Sequence, residues 1–239
     1  MQIGEKMKIL AIDSSGLVAS VAVVTEEDVI AEYTFNYKKT HSLTLMPMIE
    51  ELVERLELDL SEIDAIAAAA GPGSFTGLRI GASTAKGLAF ALKKPIIGVS
   101  TVEALGYNLY HTDGLICPIM DARRDQVYTG VYEFAGEEYR TVIEEEAVEL
   151  TTLAEQLNKL GKSVIFLGDG VAVYKEKLAE LLEVPYSYAP IHLSKQRAGS
   201  VGALGMTYYK KGKYVDGKDF EPIYLRLSQA ERERNERGE

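Results

Sequence analysis

The chain has 239 residues, enough for one large domain or two of roughly 100–200 residues each. Apolar residues make up 46% and charged residues 26%, which supports a sizeable core and excludes global disorder. Asp and Glu number 36 against 26 Lys and Arg, a formal charge of −10, so the chain is by itself a poor grip on polyphosphate. Its longest apolar stretches, residues 65–70 and 115–120, fall far short of the ~20 residues of a membrane span. A single cysteine, Cys117, excludes an internal disulfide framework and a multi-cysteine metal site. The opening Met1-Gln2-Ile3-Gly4-Glu5-Lys6 lacks the order of a secretory signal. The expectation is a soluble, cytoplasmic α/β chain.

Residues 8–13 form a short apolar run ending in Asp13-Ser14-Ser15-Gly16, a strand entering a turn. Residues 17–25 and 29–37, rich in Val, Ile, Phe and Tyr and parted by Glu26-Glu27-Asp28, predict two more strands in antiparallel succession. Leu43, Met46, Ile49, Val53 and Leu56 recur every three or four residues and predict an amphipathic helix, with Pro47 suited to its opening turn. Residues 63–70 predict a buried strand running into Gly71-Pro72-Gly73-Ser74-Phe75-Thr76-Gly77, then a helix over 78–93 with Ser74 or Thr76 as cap. A strand over 95–99, a short helix over 102–110 and a strand over 115–120 follow. Strands over 126–134 and 139–143, a helix over 150–160, a strand over 164–167 and helices over 172–182 and 196–211 complete the order. The plan of the first half thus recurs in the second without identical residues at a fixed period. The boundary falls near His111-Thr112-Asp113-Gly114, giving lobes over residues 1–110 and 111–239, and the Glu/Arg-rich end from Ala230 to Glu239 is expected to be a solvated tail.

The most specific stretch is Gly71–Gly81. Glycines at a strand-to-helix junction permit positive φ and close backbone approach, and a helix N-terminus attracts anions. No Lys-Ser/Thr follows, so this is not a Walker loop. Two readings stay open: a tight structural turn, or an anion or ligand site. Gly77, Gly81, Ala85 and Ala89 fall at four-residue steps and form one ridge of small residues. Such a ridge suits close helix approach, either within the chain or at a subunit interface. Asp13-Ser14-Ser15-Gly16 offers a carboxylate and two hydroxyls, a turn able to hold a metal–phosphate pair and equally an ordinary Asx turn. Cys117, on a strand, is expected to be a small buried hydrophobe. Between Leu193 and Val215 lie Lys195, Arg197, Lys210, Lys211 and Lys213 with no acidic residue, a solvated helix face or a surface for phosphates.

Asp13-Ser14-Ser15, His41-Ser42, Gly71–Gly81 (signature residues Gly71, Pro72, Gly73, Ser74, Phe75, Thr76, Gly77 and Arg79) and Asp121-Ala122-Arg123-Arg124 together resemble the TsaB (YeaZ) family, over about residues 7–230. The resemblance implies the α/β two-lobed fold of actin, sugar kinases and the Hsp70 ATPase, with a duplicated mixed sheet and flanking helices. It also implies a non-catalytic, cytoplasmic partner of TsaD in threonylcarbamoylation of adenosine 37 in tRNAs reading codons that begin with A. TsaE, the ATPase subunit, is a further implied partner, tRNA is met only through the complex, and the chain alone is expected to be a homodimer. TsaD-like proteins bind metal through a His-x-x-x-His whose two positions here fall on Thr101 and Leu105, neither of them an imidazole, so no metal ligand is assigned. His41, His111 and His192 stand far apart in sequence and none has an i,i+4 mate. In kinases of this fold a second Asp-x-Gly turn lets backbone approach phosphates; here it is Asp121-Ala122-Arg123, with a side chain in the way.

The expectation is therefore an interaction subunit with no catalytic residue and no cofactor of its own, ATP or ADP being confined to the partner interface. Asp13, Ser14, Ser15, Asp121 and Arg123 are candidate remnants of phosphate turns. The expected docking surface is Leu45, Met46, Ile49, Leu52 and Val53 on one helix with Gly77, Gly81, Ala85 and Ala89 on the next. Leu45 and Leu52, beside the main apolar stripe, are candidates to face outward. The alternatives are a stand-alone ATPase or phosphotransferase using Asp13 and the interlobe cleft, and, more weakly, a glycoprotease-like metallopeptidase. Turnover of ATP with and without TsaD separates the first; the missing histidine pair argues against the second.

Overall fold

Alternate side chains of β1 (Ile9–Asp13) enter different cores: Leu10 and Ile12 pack on one face, Ile9 and Ala11 on the other. A strand buried on both faces has no position for a polar residue, hence the unbroken apolar runs at β1 and β4 (Ala65–Gly71). The computed structural model describes residues 6–37 and 41–226. The expected tail from Ala230 to Glu239 lies outside them.

In the first sheet β1 pairs antiparallel with β2 (Ala19–Val24) and parallel with β4, with β3 (Val29–Phe35) at one edge and β5 (Ile96–Ser100) at the other. The order is β3-β2-β1-β4-β5. The second sheet contains β6 (Leu115–Asp121), β7 (Gln126–Ala135), β8 (Glu138–Glu149), β9 (Val164–Leu167) and β10 (Tyr186–Tyr188) in the order β10-β9-β6-β7-β8. Counted within its own half, each sheet reads third, second, first, fourth, fifth strand. This is the doubled plan anticipated from the sequence, with the two sheets separate.

Helices α1 (His41–Arg55) and α2 (Phe75–Leu92) cover one face of the first sheet, and α4 (Leu150–Leu160) and α5 (Gly170–Leu181) cover one face of the second. The remaining faces are closed by exchange. Helix α3 (Thr101–Gly106) and Leu109 pack on Ile116, Met120 and Tyr132 of the second lobe. Helix α6 (Ala198–Lys210) sends Ala198, Val201, Leu204 and Met206 onto Ile9, Ala11 and Ala67 of the first. Helices α3 and α6 thus pack across the expected division between residues 110 and 111. A sheet buried on both faces needs two helical layers, and each half supplies the other's second layer. Phe220 likewise returns to the first-lobe core.

Two further differences have local causes. β8 extends well past the expected 139–143, because an edge strand open to water tolerates Glu144, Glu145 and Glu146 in succession while pairing with β7. α2 begins at Phe75, three residues earlier than expected, because Ser74 caps it by accepting from Gly77 N–H at 3.3 Å.

Candidate functional site

The turn after β1 closes on itself. Asp13 is buried, and its Oδ1 accepts from Ser15 N–H at 2.9 Å and from the Ser15 hydroxyl at 2.6 Å. Burial pushes its carboxyl above the ordinary carboxylate range, while the Ser15 bonds and the nearby His41 charge pull it down. The Ser14 hydroxyl donates to Gly77 O at 2.9 Å, and Ser74 N–H donates to Ser15 O at 2.7 Å. A Cβ at Gly77 would stand 2.1 Å from Ser14 O, so only glycine fits there. Of the two readings of Gly71–Gly81, the geometry supports the structural turn: the start of α2 is a packing joint for the serine turn. His41 adds to it, with Nε2–H donating to Gly16 O at 2.8 Å.

The turn after β6 is open by contrast. Asp121 Oδ1 accepts from Arg123 N–H at 2.8 Å and Tyr174 O–H at 2.9 Å, and Asp121 N–H donates to Asp169 at 3.2 Å. Arg123, Arg124 and Asp125 all take left-handed backbone conformations, with φ of 67°, 55° and 58°. The Arg123 side chain is 87% exposed and meets Asp121 at 3.5 Å. Between the two turns lies a cleft of about 840 Å³, walled by Gly73 and Thr76 from the first lobe, Asp121, Asp169 and Lys195 from the second, and Ile223. Burial raises the Asp169 carboxyl, with Lys195 opposing. No sequence signal connects Ile223 with the cleft.

The residues carried over as metal-ligand positions, Thr101 and Leu105, are both buried, Leu105 within the apolar contact between lobes. Among the described residues no group of three or more His, Cys, Asp or Glu is placed to hold a metal ion. Cys117 is buried and its thiol is pushed up to about 12 by burial, consistent with a packing role.

The expected docking surface needs correction. Gly77, Gly81, Ala85 and Ala89 are all buried, Ala85 and Ala89 within the first-lobe core, so the small ridge lets α2 approach its own sheet. Leu45, Ile49 and Leu52 are buried beside it, and Val53 is half-buried. The apolar side chains left outside are Leu43, 75% exposed, Met46 and, on α2, Phe90 at 88%. A groove of about 510 Å³ runs along the same side, lined by Ser42, Phe75, Thr76, Arg79, Ile80 and Ser83. The basic stretch also fails to form one surface: Arg197 binds Glu32, Lys210 binds Glu26, Lys213 covers the Tyr208 ring, and Lys195 sits in the cleft.

Two sheets of matching strand order, helices exchanged between them, and a cleft entered by the turn after each first strand define a two-lobed α/β protein of the actin, sugar-kinase and Hsp70-ATPase class. The family model for TsaD, tRNA N6-adenosine threonylcarbamoyltransferase, matches residues 28–234. The chain is 37% identical over 225 residues to the tRNA threonylcarbamoyladenosine biosynthesis protein TsaB of Bacillus subtilis (strain 168), covering 94% of this chain and 96% of that one. Its identity to the protein of that name from Escherichia coli (strain K12) is 29% over 228 residues, covering 92% and 95%. The solved structure of YeaZ from Pseudomonas aeruginosa superposes with a TM-score of 0.79 at 28% identity, covering 92% of this chain and 100% of that one. The chain belongs to the TsaB (YeaZ) family.

Proposed function

We propose that this protein is a non-catalytic, cytoplasmic subunit in threonylcarbamoyladenosine biosynthesis that docks on TsaD and supports modification of adenosine 37 in tRNAs reading codons beginning with A. One observation carries the non-catalytic reading: the serine turn after β1 uses Asp13 Oδ1, both serine hydroxyls and the Ser15 carbonyl internally. A nucleotide cradle needs such groups free. ATP or ADP is accordingly assigned to the partner interface, with TsaE as the ATPase partner and tRNA engaged through the complex. Docking is assigned to the outward side of α1 and α2, where Leu43, Met46 and Phe90 are exposed. A second copy covers the same side when TsaD is absent.

The test is a binding titration with TsaD. Phe90→Asp and Met46→Asp should each weaken association about ten-fold or more, as loss of a central apolar anchor does, with an unchanged melting temperature. Normal binding by both would place the interface elsewhere. The ATPase or phosphotransferase alternative draws on the acidic pair Asp121 and Asp169 beside Lys195 in the cleft. Turnover of ATP by the purified chain alone, abolished by Asp13→Asn, would establish it instead.

A further inference from the structure

The lobes are joined outside the cleft by a network that spans them. Ser100 Oγ accepts from Glu103 N–H at 3.2 Å. Tyr132 O–H donates to Glu145 at 3.2 Å, Tyr139 O–H donates to Glu103 O at 3.3 Å, and Tyr208 of α6 donates to the Glu103 carboxylate. With the crossing helices α3 and α6, this is a broad attachment on the side that the cleft does not reach. An opening motion of the cleft would pivot here.

On the cleft side the connection is much narrower. After α6, which already packs on the first lobe, the chain stays there: Val215 exchanges two backbone hydrogen bonds of 2.9 Å with Ile96, and Phe220 enters the core. Ile223 N–H then donates to Ala70 O at 2.7 Å. Gly71 receives this segment: its φ is +118°, and a Cβ there would stand 2.3 Å from Ile223 O. Tyr224 places its ring 5.0 Å from that of Phe75, whose other neighbour is the Arg79 guanidinium at 4.2 Å from the ring centre. Two residues on, Arg226 crosses to the second lobe and donates from Nη1 to Ala122 O at 2.6 Å. Ile223, Tyr224 and Arg226 all line the cleft along this path.

We infer that residues 223–226 are an interlobe strap, fixed to the first lobe at Ile223 and Tyr224 and releasable from the second at Arg226, that sets how far the cleft opens. The asymmetry of its two ends supports this assignment. The first-lobe end has a backbone hydrogen bond, a glycine shaped to receive it and an aromatic contact. Among the described residues, the second-lobe end has one charged hydrogen bond to a main-chain oxygen, in the turn where three successive residues are left-handed. This also gives Gly71, Phe75 and Arg79 of the signature stretch a common task distinct from that of Gly77, which receives the serine turn.

Interlobe distances in the full chain test the strap. Nitroxide labels at Ser61→Cys in the first lobe and Glu180→Cys on α5 report them by double electron–electron resonance, in samples diluted with unlabelled chain. Cys117, buried and with its thiol raised to about 12, stays unlabelled. Arg226→Ala should shift the population toward longer distances by roughly ten-fold, the factor attached to a lost hydrogen bond with a charged donor. Exchange of the Ile223 amide should stay slow, because the first-lobe end is untouched. Arg226→Gln, which keeps a donor for Ala122 O, should lie between Ala and the native residue. Tyr224→Ala should lengthen distances and also speed exchange at Ile223. Native-like distances in both Arg226→Ala and Tyr224→Ala would overturn the strap, as would equal lengthening in the Gln and Ala variants.

Discussion

The turns after β1 and β6 occupy equivalent places in the two lobes and are led by the same residue type, yet one is closed and the other open. Asp13 is buried under Ser15, and its turn is wedged against the start of α2. Asp121 holds a turn whose arginine extends into solvent and whose next two residues adopt left-handed backbone. The difference shows that a strand–Asp–turn plan fixes where a loop goes and leaves its chemistry to the element packed against it. In the first lobe that element is a helix whose glycine admits the serine turn. In the second, Asp169 and Tyr174 reach Asp121 through single hydrogen bonds and leave Arg123, Arg124 and Asp125 exposed.

The largest effect should come from forcing the closed turn apart. Gly77→Ala sets a Cβ against the main-chain oxygen of Ser14, an atom that no side-chain rotation can move. We expect a loss of about 3 kcal/mol and a fall in melting temperature of roughly 10 °C. Unchanged melting would show that the turn yields more easily than its packing implies.

Titrating Asp13 gives a smaller effect with a defined pH dependence. Its folded-state carboxyl lies above the ordinary value of 3.8, mainly through burial. The folded protein therefore holds this proton more tightly than the unfolded chain, and the resulting stabilisation is complete below about 3.8 and lost as pH rises through the folded-state value. Asp13→Asn keeps the acceptor for both Ser15 bonds and carries no charge. The variant should melt close to the native protein in acid and about a few degrees above it at pH 8, as read from melting curves across pH. A variant less stable at pH 8 than in acid, relative to the native chain, would contradict the burial argument.

The smallest effect belongs to the open turn. Arg123→Gly removes an exposed ion pair worth little and relieves a left-handed backbone that costs a side-chain-bearing residue about 1 kcal/mol. The greater freedom of glycine in the unfolded chain offsets part of that gain. Stability by denaturant titration should change by between zero and about 1 kcal/mol, in the stabilising direction. A loss above that size would mean that the second turn is as tightly held as the first.

Much of the fold was legible because burial on both faces leaves a plain mark. β1, β4 and β6 are short apolar runs ending at turn residues, and their spacing exposes the doubled plan. The destination of α6 was not legible, since an apolar helix of small residues carries no record of which sheet it covers. The three-residue β10, too short for a period, was missed. At the site, the glycine ridge was visible while its direction was not: a small residue admits close approach from a partner or from the helix's own sheet. Helix α1 misled for a related reason. Leu43, Leu45, Met46, Met48 and Ile49 are all apolar, so two stripes about one position apart fit its opening turns, and packing on β2 selects the one containing Leu45, Met48 and Leu52. The strap at residues 223–226 has no periodicity and no motif, and its role exists only through atoms distant in sequence.

The bond from Ser74 N–H to Ser15 O has a bearing on competition as well as on shape. A free anion seeking that donor must displace an acceptor carried by the same chain. Even loosely tethered groups act at effective concentrations of ~mM, and rigidly held ones at far higher values. A metabolite in solution would meet this donor already occupied. For this turn, folding is the binding event.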